Sequence, residues 1–172
     1  MRNQIVLLIA SVLAGVIAGS PLAGFATTNW DMRVDESDCA IRDGIAARDY
    51  TDGVYNPNTT YASNIDCAYN DSNVAPHSTI STGGIGVNVY DGSAAQHTEA
   101  RACVHDTAST SWACGTVGQT TNTFTGYSEI YPGVGAWQNV SYASYYPIVS
   151  INLGPNNSYY QEFYGFTLAG SY

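Results

Sequence analysis

Flat aromatic rings set beside amides and hydroxyls are how proteins hold sugars, and also how they hold other proteins. This chain has both in quantity, with 14 tyrosines and three tryptophans among 172 residues. The rings placed for such contacts are Trp112, Trp137, Tyr142, Tyr145, Tyr146, Tyr159 and Tyr160. Consecutive residues of a strand point to opposite faces, so the neighbours Tyr145-Tyr146 and Tyr159-Tyr160 cannot all turn inward. Some of them face solvent, beside Asn, Gln and Ser. The expectation is a non-enzymatic protein in a binding or cell-surface structural role, meeting a glycan or a surface protein through exposed aromatics.

Catalysis has fewer residues to stand on, and no catalytic residue is assigned. The chain holds no G-x-S-x-G elbow for a nucleophilic serine. His105 and Asp106 are neighbours, so on a strand they would face opposite ways. A secreted polysaccharide hydrolase with paired carboxylates is the alternative. It needs two acids roughly 5–10 Å apart across a groove, and Glu99, Glu129 and Glu162 lie on expected strands. Glu99 alternates with Arg101, which suits a solvent-facing ion pair. Glu162 alternates with Tyr164, Phe166 and Leu168, which suits their inward face near a rim.

His77, His97 and His105 lack H-x-x-x-H spacing, which argues against a transition metal. Calcium takes hard oxygen ligands from acidic loops. Asp49-x-x-Asp52-Gly53 places two carboxylates around a turn, and Asp66, Asp71 and Asp91 lie in or beside other loops. Asp49 and Asp52 are the candidate ligands, and structural calcium is the one cofactor the chain suggests.

The elements that must position these side chains read as strands. Ile85, Val87 and Val89 alternate with Gly86, Asn88 and Tyr90, so one face is apolar. Val149, Ile151 and Leu153 repeat the pattern, as do Tyr164, Phe166 and Leu168. Asp-Gly, Asn-Pro and Gly-Pro pairs punctuate the chain. No sustained 3.6-residue period appears after the first segment, though a helical turn fits Ile41 to Ala47. About eight short strands with regular turns predict an all-β fold, a two-sheet antiparallel sandwich of Ig-like or jelly-roll-like kind. Around Arg101 to Gly118 two strands flank a polar loop, with Cys103 and Cys114 at either end. Four cysteines permit three pairings. The hairpin favours Cys103–Cys114, which leaves Cys39–Cys67. A small outer-membrane β-barrel is a further alternative, since the chain alternates toward an aromatic C-terminus.

The first residues address the chain for export. Arg2 precedes an apolar run from Ile5 to Ala18, broken at Gly19-Ser20-Pro21, with small residues at Gly24 and Ala26. That is the pattern of a cleaved secretory signal peptide, too short to span a bilayer. The expected layout is a signal peptide over 1–26, a charged arm or edge strand over 27–48, and one sandwich domain over 49–172. The protein is expected to be extracellular or periplasmic, where thiols oxidise. Five arginines and no lysine stand against 14 acidic residues, for a net charge of −9. So acidic a chain lacks the cations for nucleic acid, and no stable membrane insertion is expected.

One resemblance rests on spaced residues across roughly 50–172. These are Tyr55-Asn56, Asp66-Cys67, Val87-Asn88-Val89-Tyr90-Asp91, Ala102-Cys103-Val104, Tyr145-Tyr146 and Leu153-Gly154-Pro155. The chain resembles a group of secreted, disulfide-bearing β-sandwich proteins of environmental bacteria. That group would carry a cysteine near Ile151, and this chain has none there. The resemblance implies a fold and a compartment, and it brings neither an activity nor a site.

Overall fold

The structure, a computed structural model, describes residues 29–48, 53–70, 76–121, 123, 125–138, 145–156 and 161–171. Strand β1 (Asn29–Val34) leads through a 3-10 turn, Glu36–Asp38, into β2 (Cys39–Asp43). Two-residue strands β3 (Ala47–Arg48) and β4 (Val54–Tyr55) follow, then β5 (Ser63–Ala68), a second 3-10 turn at His77–Thr79, and the long β6 (Ile80–Asp91). Next come β7 (Thr98–Asp106), β8 (Trp112–Cys114), β9 (Gly118–Gln119), β10 (Gly126–Ile130) and a four-residue helix, α1 (Gly135–Gln138). The last two strands are β11 (Tyr145–Leu153) and β12 (Gln161–Ser171). Eight of these strands have five residues or more, and β3, β4, β8 and β9 are short additions of two or three.

Sheet 1 runs β10-β6-β12-β4-β3, with β1 also paired to β12. Sheet 2 runs β2-β5-β11-β7-β8, with β9 also paired to β7. Every pairing among the described residues is antiparallel. Two sheets over one core make the expected β-sandwich. The barrel alternative is overturned, because a barrel is one continuous closed sheet and here the strands divide into two.

The alternation read in β6 holds: Ile85, Val87 and Val89 are buried, and they share one core with Val149, Ile151 and Leu153 of β11. Each such side chain contributes roughly 1.5–3 kcal/mol when taken from water. Both favoured disulfides are formed, each between residues directly opposite in the ladder. Cys39–Cys67 ties β2 to β5, and Cys103–Cys114 ties β7 to β8. The hairpin between the latter pair turns on Asp106. Its carboxylate accepts from the Ala108 N–H at 2.9 Å and the Ser109 hydroxyl at 2.5 Å. Those bonds, the Ser109 one foremost, hold the Asp106 carboxyl below its ordinary pKa.

Three local expectations change. Cys39–Asp43 is an edge strand and not part of a helical turn, because Cys39, Ala40 and Ile41 pair with Cys67, Asp66 and Ile65. Trp137 to Tyr146 reads from the sequence as a strand, yet Gly135–Gln138 form α1. Its turn closes by bonds from the Trp137 and Gln138 N–H groups to the Val134 carbonyl. On β12 the two-residue period breaks at Gly165, whose φ of 94° suits glycine. The register shifts between Phe163 and Phe166. Phe163, Phe166 and Leu168 therefore face the core, while Glu162 and Tyr164 turn outward together. An added Cβ at Gly165 would also stand 2.4 Å from the Val34 carbonyl oxygen.

Candidate functional site

The outer face of sheet 1 gathers polar and aromatic groups from three neighbouring strands. Register places Tyr127 opposite Tyr90, and Glu129 opposite Asn88. On the other side of β6, Glu162 lies opposite Tyr90, and Thr167 opposite Gly86. The Tyr127 ring packs 5.1 Å from Tyr90, edge to face, and 5.7 Å from Tyr164. Tyr127 is 73% exposed. Below it the Tyr164 hydroxyl donates to the Glu162 carboxylate, which is buried. Burial first, then bonds to Glu162 and Tyr127, push the Tyr164 phenol far up from its ordinary pKa.

Glu129 is exposed yet held. Its Oε2 accepts from the Tyr131 hydroxyl at 2.5 Å, and its Oε1 accepts from Thr167 Oγ1 at 3.2 Å. That bond pushes the Tyr131 phenol up. The carboxylate sits over Gly86, where a Cβ would stand 1.9 Å from Glu129 Oε1. A glycine there is what lets the acid lie across the sheet. Around it runs a groove of about 630 Å³, walled by Arg33, Asp35, Asn88, Glu129, Tyr164 and Thr167 over Val34 and Phe166. A hollow of about 230 Å³ continues it past Tyr127 and Ser128, sharing Asn88, Glu129 and Tyr164. The whole surface offers ring faces, an amide, a guanidinium, carboxylates and a hydroxyl. Such a mixture can stack on a sugar ring and meet its hydroxyls as donor and acceptor.

Of the rings singled out from sequence, Trp112 and Tyr146 come together, on the outer face of sheet 2. His105 lies between them, its ring 4.8 Å from Trp112 and 5.0 Å from Tyr146. The Arg42 guanidinium sits 5.7 Å over the Trp112 ring and also pairs with Asp66 at 3.2 Å. Farther along, Arg42, Asn64, Glu99, Arg101, Ser150 and Asn152 line a slot of about 200 Å³. Glu99 and Arg101 share that slot but form no ion pair, contrary to expectation; Arg42 makes side-chain salt bridges to Asp43 and Asp66.

Trp137 is a correction. It is wholly buried, stacks on Tyr69 at 5.7 Å, and donates its indole N–H to the Cys103 carbonyl at 2.7 Å. Tyr145 begins β11, and its side chain lies outside the described residues, as do Tyr142, Tyr159, Tyr160, Asp49, Asp52 and the signal-peptide segment. Asp91, at the end of β6, is buried and accepts from the Ser93 N–H, Gln161 Nε2 and Thr120 Oγ1. No cluster of three His, Cys, Asp or Glu side chains suited to a metal occurs among the described residues.

Sequence reading missed the sheet 1 groove. A signal was present: Tyr127, Glu129 and Tyr131 recur at every second position, and Asn88 and Tyr90 occupy the face opposite Val87 and Val89. What pattern could not supply was the β12 bulge, which brings Tyr164 and Glu162 to the same surface.

No family model matches the chain, and no curated protein is similar to it in sequence. Among solved structures it is similar to a family two carbohydrate esterase from Cellvibrio japonicus, at 8% identity and a TM-score of 0.40. That likeness covers 84% of this chain and 34% of the esterase, so the chain spans about a third of that protein. It is also similar to a mutant family 29 carbohydrate binding module complexed with cellulohexaose, at 7% identity and a TM-score of 0.37. A second mutant of that module gives 8% and 0.35, and both likenesses cover 84% of this chain and 81% of the module. At such values the likeness says nothing about a ligand for this chain.

Proposed function

We propose that this is an exported, non-catalytic β-sandwich that binds an uncharged glycan across the outer face of sheet 1. The observation that carries the reading is the continuous groove in which Asn88, Glu129 and Tyr164 are shared between a polar trough and the hollow beside Tyr127. A net charge of −9 disfavours an anionic polymer. Two formed disulfides support an oxidising compartment.

Among the described residues, the paired-acid alternative can draw on Asp35 and Glu129, which line the same groove. Both stand in solvent, without the apolar enclosure that keeps a general acid protonated. Glu162 is enclosed, but Tyr164 bonds to it. The geometry favours holding a sugar over cleaving one.

Native affinity electrophoresis through gels containing mixed-linkage β-glucan, xylan or galactomannan tests the reading. Retardation by at least one polymer is expected, relieved in Tyr127→Ala, with no new reducing ends released. Migration unchanged by every polymer, or retardation indifferent to Tyr127→Ala, would overturn it.

A further inference from the structure

The outer face of sheet 2 carries a second surface of the same chemical make-up, on the opposite side of the core. Its rings are Trp112 and Tyr146, each in contact with His105 between them, with Trp112 42% and Tyr146 39% exposed. On β7 the outward positions run from His105 through Arg101 to Glu99, about 20 Å at the usual rise of a strand. That is the length of a short oligosaccharide. At the far end Arg101 and Glu99 meet Asn64 and Asn152, whose amides are joined by a 2.8 Å bond from Asn152 Nδ2 to Asn64 Oδ1. Charges in this strip nearly balance: Arg42 pairs with both Asp43 and Asp66, and Arg101 stands in the slot with Glu99. A surface that presents planar donors and acceptors with only one acid in excess complements a polyhydroxylated, uncharged ligand, and gives an anion no advantage.

We infer that sheet 2 is a second glycan-binding face, and that the protein bridges two polysaccharide chains. The inference rests on the glycan reading of sheet 1. Packed sheets lie roughly 10 Å apart, and their outer faces look away from each other. One oligosaccharide cannot lie along both at once, whereas two chains can be held together.

The experiment uses the polysaccharide that retards the protein most, coated on latex particles, alongside gel retardation. Wild-type protein is expected to agglutinate the particles. Tyr127→Ala and the pair Trp112→Ala/Tyr146→Ala should each lower gel affinity severalfold and each abolish agglutination. Arg101→Ala serves as a second variant, because Arg101 is exposed and its loss leaves the rings in place. It too should weaken retardation severalfold. If the sheet 2 variants agglutinate and migrate as wild type while Tyr127→Ala does not, the second face is refuted and the proposed function stands. If Tyr127→Ala also behaves as wild type, the proposed function falls with it.

Discussion

Gly86→Ala separates the site from the fold. The new methyl would stand 1.9 Å from Glu129 Oε1, 2.6 Å from its carboxyl carbon and 2.8 Å from Thr167 Oγ1. Ordinary contact begins near 3.4 Å, so the carboxylate must retreat by about 1.5 Å. It then loses Thr167 and leaves the groove floor. Both obstructing groups are side-chain ends, so the backbone need not move. Glu129 is exposed, so water replaces the lost bond, at a cost under about 1 kcal/mol. Alanine in a strand offsets this by roughly 0.5–1 kcal/mol relative to glycine. Thermal unfolding should therefore stay within about 3 °C of wild type. Binding should not. A ligand hydrogen bond to a charged group is worth about 1.5–3 kcal/mol, which predicts a roughly ten- to hundredfold weaker dissociation constant. Calorimetric titration with the retained glycan, beside a melting curve, reads both. Unchanged affinity would show that Glu129 does not contact the ligand. A melting point lower by ten degrees would show that the clash is taken up by the sheet.

Other expectations concern the scaffold. Loop-closure entropy assigns about 3.6 kcal/mol to Cys39–Cys67, with its separation of 28, and about 2.8 kcal/mol to Cys103–Cys114, with 11. Urea unfolding of the two Cys→Ser pairs should rank them in that order, and the reverse order would count against an entropic origin. Trp137→Ala should cost about 3–5 kcal/mol, while any glycan affinity of the folded fraction stays at the wild-type value. A binding defect in that fraction would return Trp137 to the site. Tyr164 supplies a pH signature. Its phenol is raised in the folded state, so the associated stability is complete below the unfolded tyrosine pKa of about 10 and is lost as pH climbs above it. Alkaline melting curves should fall less steeply for Tyr164→Phe than for wild type, and identical slopes would refute that.

The layer architecture and the bridges were legible because they follow from local rules. Period-two runs such as Ile85-Val87-Val89 name their buried face, and a short polar loop between Cys103 and Cys114 leaves the sulfurs opposite one another. The sites were less legible. The sequence places Trp137 among the contact rings, yet an indole that finds the Cys103 carbonyl can be wholly buried. Tyr164 and Glu162 take the face opposite to the one alternation predicts, because the register shifts by a residue at Gly165. Trp112 and Tyr146 meet through His105 only because β7 pairs with both β8 and β11. Nothing local in the chain announces a pairing between segments that far apart.

The central claim is that a glycan lies on sheet 1. The most direct test is a titration of isotope-labelled protein with an oligosaccharide cut from the retained polymer, followed by amide chemical shifts. Saturable shifts should include Asn88, Tyr127, Glu129 and Thr167. Saturation that leaves all four amides unmoved, or no saturable shift with any oligosaccharide, would contradict the account.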